Sequence, residues 1–229
     1  MTKTTTTPTT PAQQETGKPL KVLSSASALK YFQGNLSESQ IVDVLSDLKH
    51  RIFPRPFERL CLRDRKQLVG AEIGVCGGEH SLSLLKTLDV RKLYCIDPYS
   101  LYDTYDEGKD HYGRDQAPLD ETEKGARKLL SGYEKQVVWV RKLSGNAVGD
   151  ISEPLDFVYI DGNHAEQFVA EDIEKYWPLV SKGGVMAGHD YYNGFQSEHD
   201  GVITAVSRFA TANKLTLKVE LPDWWIFKR

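Results

Sequence analysis

The stretch Val69-Gly70-Ala71-Glu72-Ile73-Gly74-Val75-Cys76-Gly77-Gly78 decides how this chain reads. Its first half is apolar and fits a buried strand, its second half is a glycine turn, and residues 80–88 carry helical spacing. A second short strand, Lys92-Leu93-Tyr94-Cys95-Ile96-Asp97, ends on a carboxylate. A strand, a glycine turn, a helix and a strand closing on an acid form a half-site for a nucleoside ribose, because a carboxylate can accept a hydrogen bond from each hydroxyl of a vicinal diol.

Downstream the same alternation continues. Strands are expected at 69–75, 92–97, 136–141, 155–160 and 183–188, and helices at 80–88, 120–131, 164–177 and 201–212. Such alternation implies an α/β fold, a Rossmann-like doubly wound and mostly parallel sheet covered on both faces. Leu215–Glu220, Pro222-Asp223 and Trp224–Lys228 then read as an antiparallel C-terminal hairpin. Upstream, Ser37 and Gln40 fit a capping box, and Ile41, Val44, Leu45, Leu48 and Ile52 recur at helical spacing, so a helix is expected over 37–53. Residues 1–18 are rich in Thr, Pro and Gln and read as a disordered tail. The rest is one domain, with a helical cap over 19–68 and a cofactor-binding core over 69–229. Two stretches break the alternation, Pro98–Leu119 and Asp190–Asp200. Both are aromatic and acidic loops at strand C-terminal ends, where such sheets bind ligands, and the first is rich enough in Tyr to stack on a ring.

Bulk properties remove several classes. A net charge of −3 with 27% charged residues leaves no broad basic surface, so nucleic acid is not an expected partner. No run approaches the ~20 apolar residues of a membrane span, and no secretory signal opens the chain. Cys61, Cys76 and Cys95 show neither CxxC pairing nor zinc spacing, which suits a reducing, cytoplasmic setting.

The turn also discriminates between nucleotides. A dinucleotide-binding turn needs a second glycine where this chain has Cys76, so NAD and FAD are disfavoured. The pattern Glu72-x-Gly74-x-x-x-Gly78 instead resembles the first motif of the class I S-adenosylmethionine-dependent methyltransferases. That resemblance implies that Glu72, Gly74 and Gly78 form the cofactor turn and that Asp97 binds both ribose hydroxyls. It places Ser144, just past the third strand, beside adenine. His80 and Ser81 open the following helix, where they either reach the cofactor carboxylate or cap the helix.

A second block sharpens the resemblance. Leu155-Asp156-Phe157-Val158-Tyr159-Ile160-Asp161-Gly162-Asn163-His164 is an apolar strand ending in an acid, with a histidine three residues on. Gly184-Val185-Met186-Ala187-Gly188-His189-Asp190 ends the next strand in the same way. Asp161 and Asp190 then share one sheet edge, and converging carboxylates without basic neighbours need a cation or a shared proton. Together with Asp200–Phe209, these blocks look like the metal-dependent small-molecule O-methyltransferases that include the macrolide-sugar methyltransferases, over roughly residues 69–229. The resemblance implies Asp161 and Asp190 as metal ligands, Asp161 also bordering the cofactor, and His164 as general base. His189 stands where that family often has a second acid. It is either a third ligand, favouring softer ions than Mg²⁺, or turned into a loop. Two oxygen ligands suit Mg²⁺. Asp172, Trp177 and Pro178 also match and read as helix packing and termination. Trp224 and Trp225 read as core.

The implied activity is methyl transfer from S-adenosylmethionine to a hydroxyl of a small molecule: a sugar, natural product or phenol. A divalent cation and an imidazole base would turn that poor nucleophile into an alkoxide. Two alternatives stay open, a metal-independent O- or N-methyltransferase and a non-catalytic cofactor-binding module. A homo-oligomer through the edge hairpin or the N-terminal helix is compatible with the pattern.

Overall fold

The computed structural model describes residues 52–102, 115–191 and 200–229. The expected tail, residues 37–51 of the expected helix and the central parts of both insertions lie outside these residues. The described residues belong to one unit, Asp47–Arg229. In chain order, a π-helical turn over Glu58–Leu62 leads to β1 (Leu68–Ile73), α1 (Glu79–Thr87), β2 (Val90–Ile96), α2 (Gln116–Leu129), β3 (Val137–Val140), α3 (Ser144–Ala147), β4 (Leu155–Ile160), α4 (Glu166–Tyr176), β5 (Val180–Gly188), α5 (Asp200–Ala212), β6 (Leu217–Glu220) and β7 (Asp223–Phe227).

All six residues of β1 are buried, as a central strand covered on both faces requires. It pairs in parallel with β2 on one side and β4 on the other. The seven-stranded order is β3-β2-β1-β4-β5-β7-β6, with β7 antiparallel to both β5 and β6. The expected α/β sheet with a C-terminal antiparallel hairpin is therefore present.

Strand alternation divides the core into two layers. Leu68, Leu93, Phe157 and Tyr159 face Leu84, Leu85, Ala126 and Leu130 from α1, α2 and its C-terminal end, together with Phe57 and Leu62 of the upstream turn. Val69, Ala71, Ile73, Val158 and Ile160 face Val169, Ile173 and Tyr176 of α4 and Val202 and Val206 of α5. Each such aliphatic side chain contributes about 1.5–3 kcal/mol of burial. Where the β1–β2 register shifts at Leu68/Val69, the Val69 amide donates to the Asp156 carboxylate at 2.9 Å, so no donor is left unmatched there.

Element ends depart from the sequence pattern for local reasons. Helix α2 begins at Gln116, before the expected 120, because Pro118 falls in a first turn whose amides need no intrahelical acceptor. The Gln116 side chain then donates to the Tyr99 carbonyl at 2.7 Å. Strand β5 begins at Val180, before the expected 183, and Lys228 brackets Gly183 and Gly184 with two backbone hydrogen bonds. Helix α4 begins at Glu166, which leaves His164 in the preceding loop, where the Ala165 amide donates to Asn163 Oδ1 at 2.9 Å.

Trp224 of β7 is fully buried against α4, α5 and the central strands. Trp224→Ala should cost about 3–5 kcal/mol. The check is urea unfolding, with a lower midpoint and an unchanged slope.

Candidate active site

Strands β2 and β3 run out to one side of β1, and β4 and β5 to the other, so the chain switches direction between β1 and β4. A cavity of about 220 Å³ opens at the C-terminal ends of these strands. Gly74, Asp97, Tyr99, Ser144, Asp161 and His164 are among its lining residues. Four of the residues expected to touch the cofactor (Gly74, Asp97, Ser144 and Asp161) therefore share one wall system, and His164 stands with them.

The glycine turn has two separate requirements. Gly74 has a φ of +85°, and a Cβ there would collide with the carbonyl of Asp161. Gly78 has a φ of +84° and starts α1 while facing Ala126 of α2 rather than the cavity. Between them Cys76 takes a φ of +48°, a left-handed conformation rare for non-glycine residues. Its amide donates to Asp97 Oδ2 at 3.0 Å, and its carbonyl accepts the Tyr99 hydroxyl at 2.8 Å. The Tyr99 amide donates to Asp97 Oδ1 at 2.9 Å. Both carboxylate oxygens of Asp97 are thus fixed by backbone donors, and the Val75 amide also bonds this carboxylate. Burial nonetheless holds this carboxyl above the ordinary range, against the amide bonds that favour its charge. Tyr99 falls at the start of the Tyr-rich insertion, where nothing in the local pattern marks it as the brace of the turn.

The second cluster lies beyond β4 and β5. Register pairs Ile160 with Gly188, which brings the segments after both strands together. Ligand atoms of Asp161, His164 and Asp190 lie within 4.8 Å of one another. His164 Nε2 is 2.8 Å from Asp190 Oδ2 and 3.8 Å from Asp161 Oδ1. His189 Nδ1 is 3.2 Å from Asp190 Oδ1 and 3.9 Å from Asp161 Oδ1, so it flanks the acids outside that trio. Asp190 has a φ of +58°. Asp tolerates this conformation better than most residues, and such strain gathers at functional sites. Burial lowers the His164 pKa, but hydrogen bonds to Asp161 and Asp190 outweigh it and bring the value to about 10. Asp190 is held well below the carboxylate range, because its bonds to His164 and His189 overcome burial.

Glu72, His80 and Ser81 are elsewhere. Glu72 points to the opposite face of β1 from Ile73, where it is 1% exposed and accepts the Ser81 hydroxyl. His80 Nδ1 is 2.8 Å from Glu72 Oε1, and its Nε2 is 3.2 Å from Glu58 Oε1. The His80 ring packs on Tyr159 with centroids 4.1 Å apart. The three residues do not line the cavity; they lock α1 to β1 and to the upstream turn. The sequence could not reveal this, because Glu58 is 22 residues from His80 and sits in no motif.

A methyltransferase-domain family model matches residues 71–191, more than half of the chain. The chain belongs to that methyltransferase family, and its sheet is the Rossmann-like fold of the class I S-adenosylmethionine-dependent methyltransferases. Among solved structures, an O-methyltransferase from Bacillus cereus in complex with SAH shares 14% identity, covering 87% of this chain and 96% of its own, with a TM-score of 0.52. The SAH-bound methyltransferase PaMTH1 of Podospora anserina shares 14%, covering 73% and 74%, with a TM-score of 0.52. A calicheamicin methyltransferase, CalS11, shares 15%, covering 93% and 87%, with a TM-score of 0.51. No curated protein matches the chain by sequence. Among the described residues, no helix is long and apolar enough to cross a membrane.

Burial depresses His80, but Glu72 and Glu58 raise its pKa to about 9. A histidine raised on folding stabilises fully below its unfolded value near 6.5, and that contribution disappears as pH climbs through about 9. The protein should therefore lose up to roughly 3 kcal/mol from this residue between those limits. Urea titrations across pH should show the fall, and Glu58→Gln should flatten part of it.

Proposed function

We propose that the protein transfers the methyl group of S-adenosylmethionine to a hydroxyl of a small molecule, with a divalent cation held by Asp161 and Asp190. The observation that carries this reading is the convergence of Asp161, His164 and Asp190 on the same sheet edge as Asp97. In this reading Asp97 accepts hydrogen bonds from the ribose hydroxyls. Gly74 gives the cofactor room beside Asp161. Ser144 borders the adenine end.

The donor set fits a cation. Two acids and an imidazole converge, and in the cation-free protein the acids compensate by holding a proton on His164. Oxygen-rich sites of this kind suit Mg²⁺ or Mn²⁺. Such an ion lowers the pKa of a hydroxyl and stabilises the charge that develops on it. With a cation on Asp161 and Asp190, the His164 imidazole would no longer be held in its protonated form and would be placed to take the proton of an acceptor hydroxyl. The acceptor oxygen then forms its bond to carbon as the sulfonium–carbon bond breaks. A second reading rests on the 2.8 Å approach of His164 to Asp190 alone. An imidazole oriented by a carboxylate can act as a base without a cation, on O or N.

Titration calorimetry of S-adenosylmethionine into the protein, with Mg²⁺ and with EDTA, tests the cofactor. Micromolar binding in wild type and its loss in Asp97→Ala are the expected results; binding of NAD⁺ in its place overturns the reading. Calorimetry with Mn²⁺ tests the cation. Affinity should rise with pH from about 6.5 to about 10, as the proton on His164 becomes easier to displace. Asp190→Asn should abolish Mn²⁺ binding while leaving cofactor binding in place. With an acceptor found by screening, His164→Ala should reduce turnover by about 10²–10⁴-fold. Activity that survives EDTA would favour the cation-free reading.

A further inference from the structure

In-line methyl transfer fixes where an acceptor must stand. The attacking oxygen approaches the methyl carbon opposite the sulfur, so donor and acceptor lie on opposite sides of the reacting centre. The cavity read as the cofactor site is lined from the ends of β1, β2, β3 and β4. Asp161, His164 and Asp190 follow β4 and β5, and β7 lies outward of β5. An acceptor that reaches His164 from the far side therefore extends over the ends of β5 and β7. Trp224 of β7 pairs with Gly188, so Asp223 stands level with His189. Arg55, on the segment before the π-helical turn, is tied to this point, because its Nη1 donates to Asp223 Oδ2 at 3.4 Å.

That guanidinium is lightly used. Its contact is long beside the ~2.7–2.9 Å of a strong charge-assisted bond. The other Asp223 oxygen accepts the Tyr159 hydroxyl at 2.8 Å. Glu58 accepts the Arg55 backbone amide at 2.9 Å and the Thr87 hydroxyl at 2.9 Å, and does not bond the guanidinium. Among the described residues, Asp223 is the one group bonded to the Arg55 side chain, which is 29% exposed. A guanidinium holds its N–H donors in a planar fork, and most of these are uncommitted. Such a fork fits two oxygens of one carboxylate or phosphate. The field of Arg55 reaches Asp161 and His189, so it shares their electrostatic neighbourhood. On the reading that Asp161 and Asp190 hold a cation beside S-adenosylmethionine, we propose that Arg55 binds an anionic group of the acceptor, a carboxylate or phosphate set apart from the methylated hydroxyl. The acceptor is then a hydroxylated acid or a phosphorylated alcohol. A cation between Asp161 and Asp190 offsets the two charges that would otherwise repel the incoming anion.

The test loads the full-length protein with S-adenosylhomocysteine and Mg²⁺ and titrates it with acetate and with methyl phosphate. The Arg55 Nε–Hε resonance is followed by heteronuclear NMR and assigned by its absence in Arg55→Gln, or in Arg55→Lys if the first variant does not fold. A saturable shift that equal chloride does not produce supports the site, and the probe that saturates first tells phosphate from carboxylate. No shift, or one matched by chloride, overturns the proposal. Asp190→Asn removes the cation with one of its acids and separates a probe held by Arg55 from one held by the ion. The shift should survive in that variant, and its disappearance overturns the proposal. With acceptors found by screening, Arg55→Gln should raise KM by at least ~10-fold with a smaller change in kcat, and Arg55→Lys should recover part of the loss. Turnover of neutral acceptors alone, or an unchanged KM in Arg55→Gln, overturns the assignment. If S-adenosylhomocysteine does not bind, the cofactor reading fails by itself, and the Arg55 titration without it still decides the anion site.

Discussion

One row of backbone hydrogen bonds crosses the sheet just past the ends of its strands. The Asp97 amide donates to Val140, Gly74 to Ile96, Asp161 to Ile73, and His189 to Ile160, at 2.8–3.2 Å. Each bond extends a parallel ladder by one residue. Together they align the glycine turn, Asp97 and the acids after β4 and β5 along one edge. Gly74 lies at the centre of the row, where any Cβ would collide with the Asp161 carbonyl. A slip of one residue in any strand would turn its terminal side chain to the opposite face and dismantle the site. Positioning is thus distributed over the sheet, and the functional groups inherit the precision of its register.

Two histidines occupy similar electrostatic positions with different consequences. His80 lies between Glu58 and Glu72, and His164 lies beside Asp161 and Asp190. Both are raised despite burial. His80 has 10% side-chain exposure and packs at a tilt on Tyr159, so its charge is enclosed and its work is to hold elements together. His164 has 31% exposure and borders the cavity, so its proton can be exchanged with an acceptor or displaced by a cation.

Much of this was legible in the residues. The strand–turn–helix–strand order, the hairpin and the meeting of Asp161, His164 and Asp190 follow from apolar runs that end on acids. Those runs carry enough periodicity to be located, and parallel pairing of consecutive units does the rest. The packing of Glu72, His80 and Ser81 away from the cavity is not readable from the motif, which gives spacing along the chain and not the face of the strand on which each residue falls. Ile73 and Glu72 differ by one position and by an entire layer of the protein.

The Asp97 bracket has a kinetic side. In the proposed function its contacts would lie on the ribose, remote from the sulfur, and its carboxylate is already fixed by the Cys76 and Tyr99 amides. Such an anchor grips a donor molecule equally before and after the donor has lost its methyl group. It is uniform binding, which deepens the ground state without lowering the barrier of the chemical step. The spent donor therefore competes with the fresh one for the same rigid seat. An enzyme built on this bracket is governed by the ratio of the two in its surroundings as much as by the supply of either.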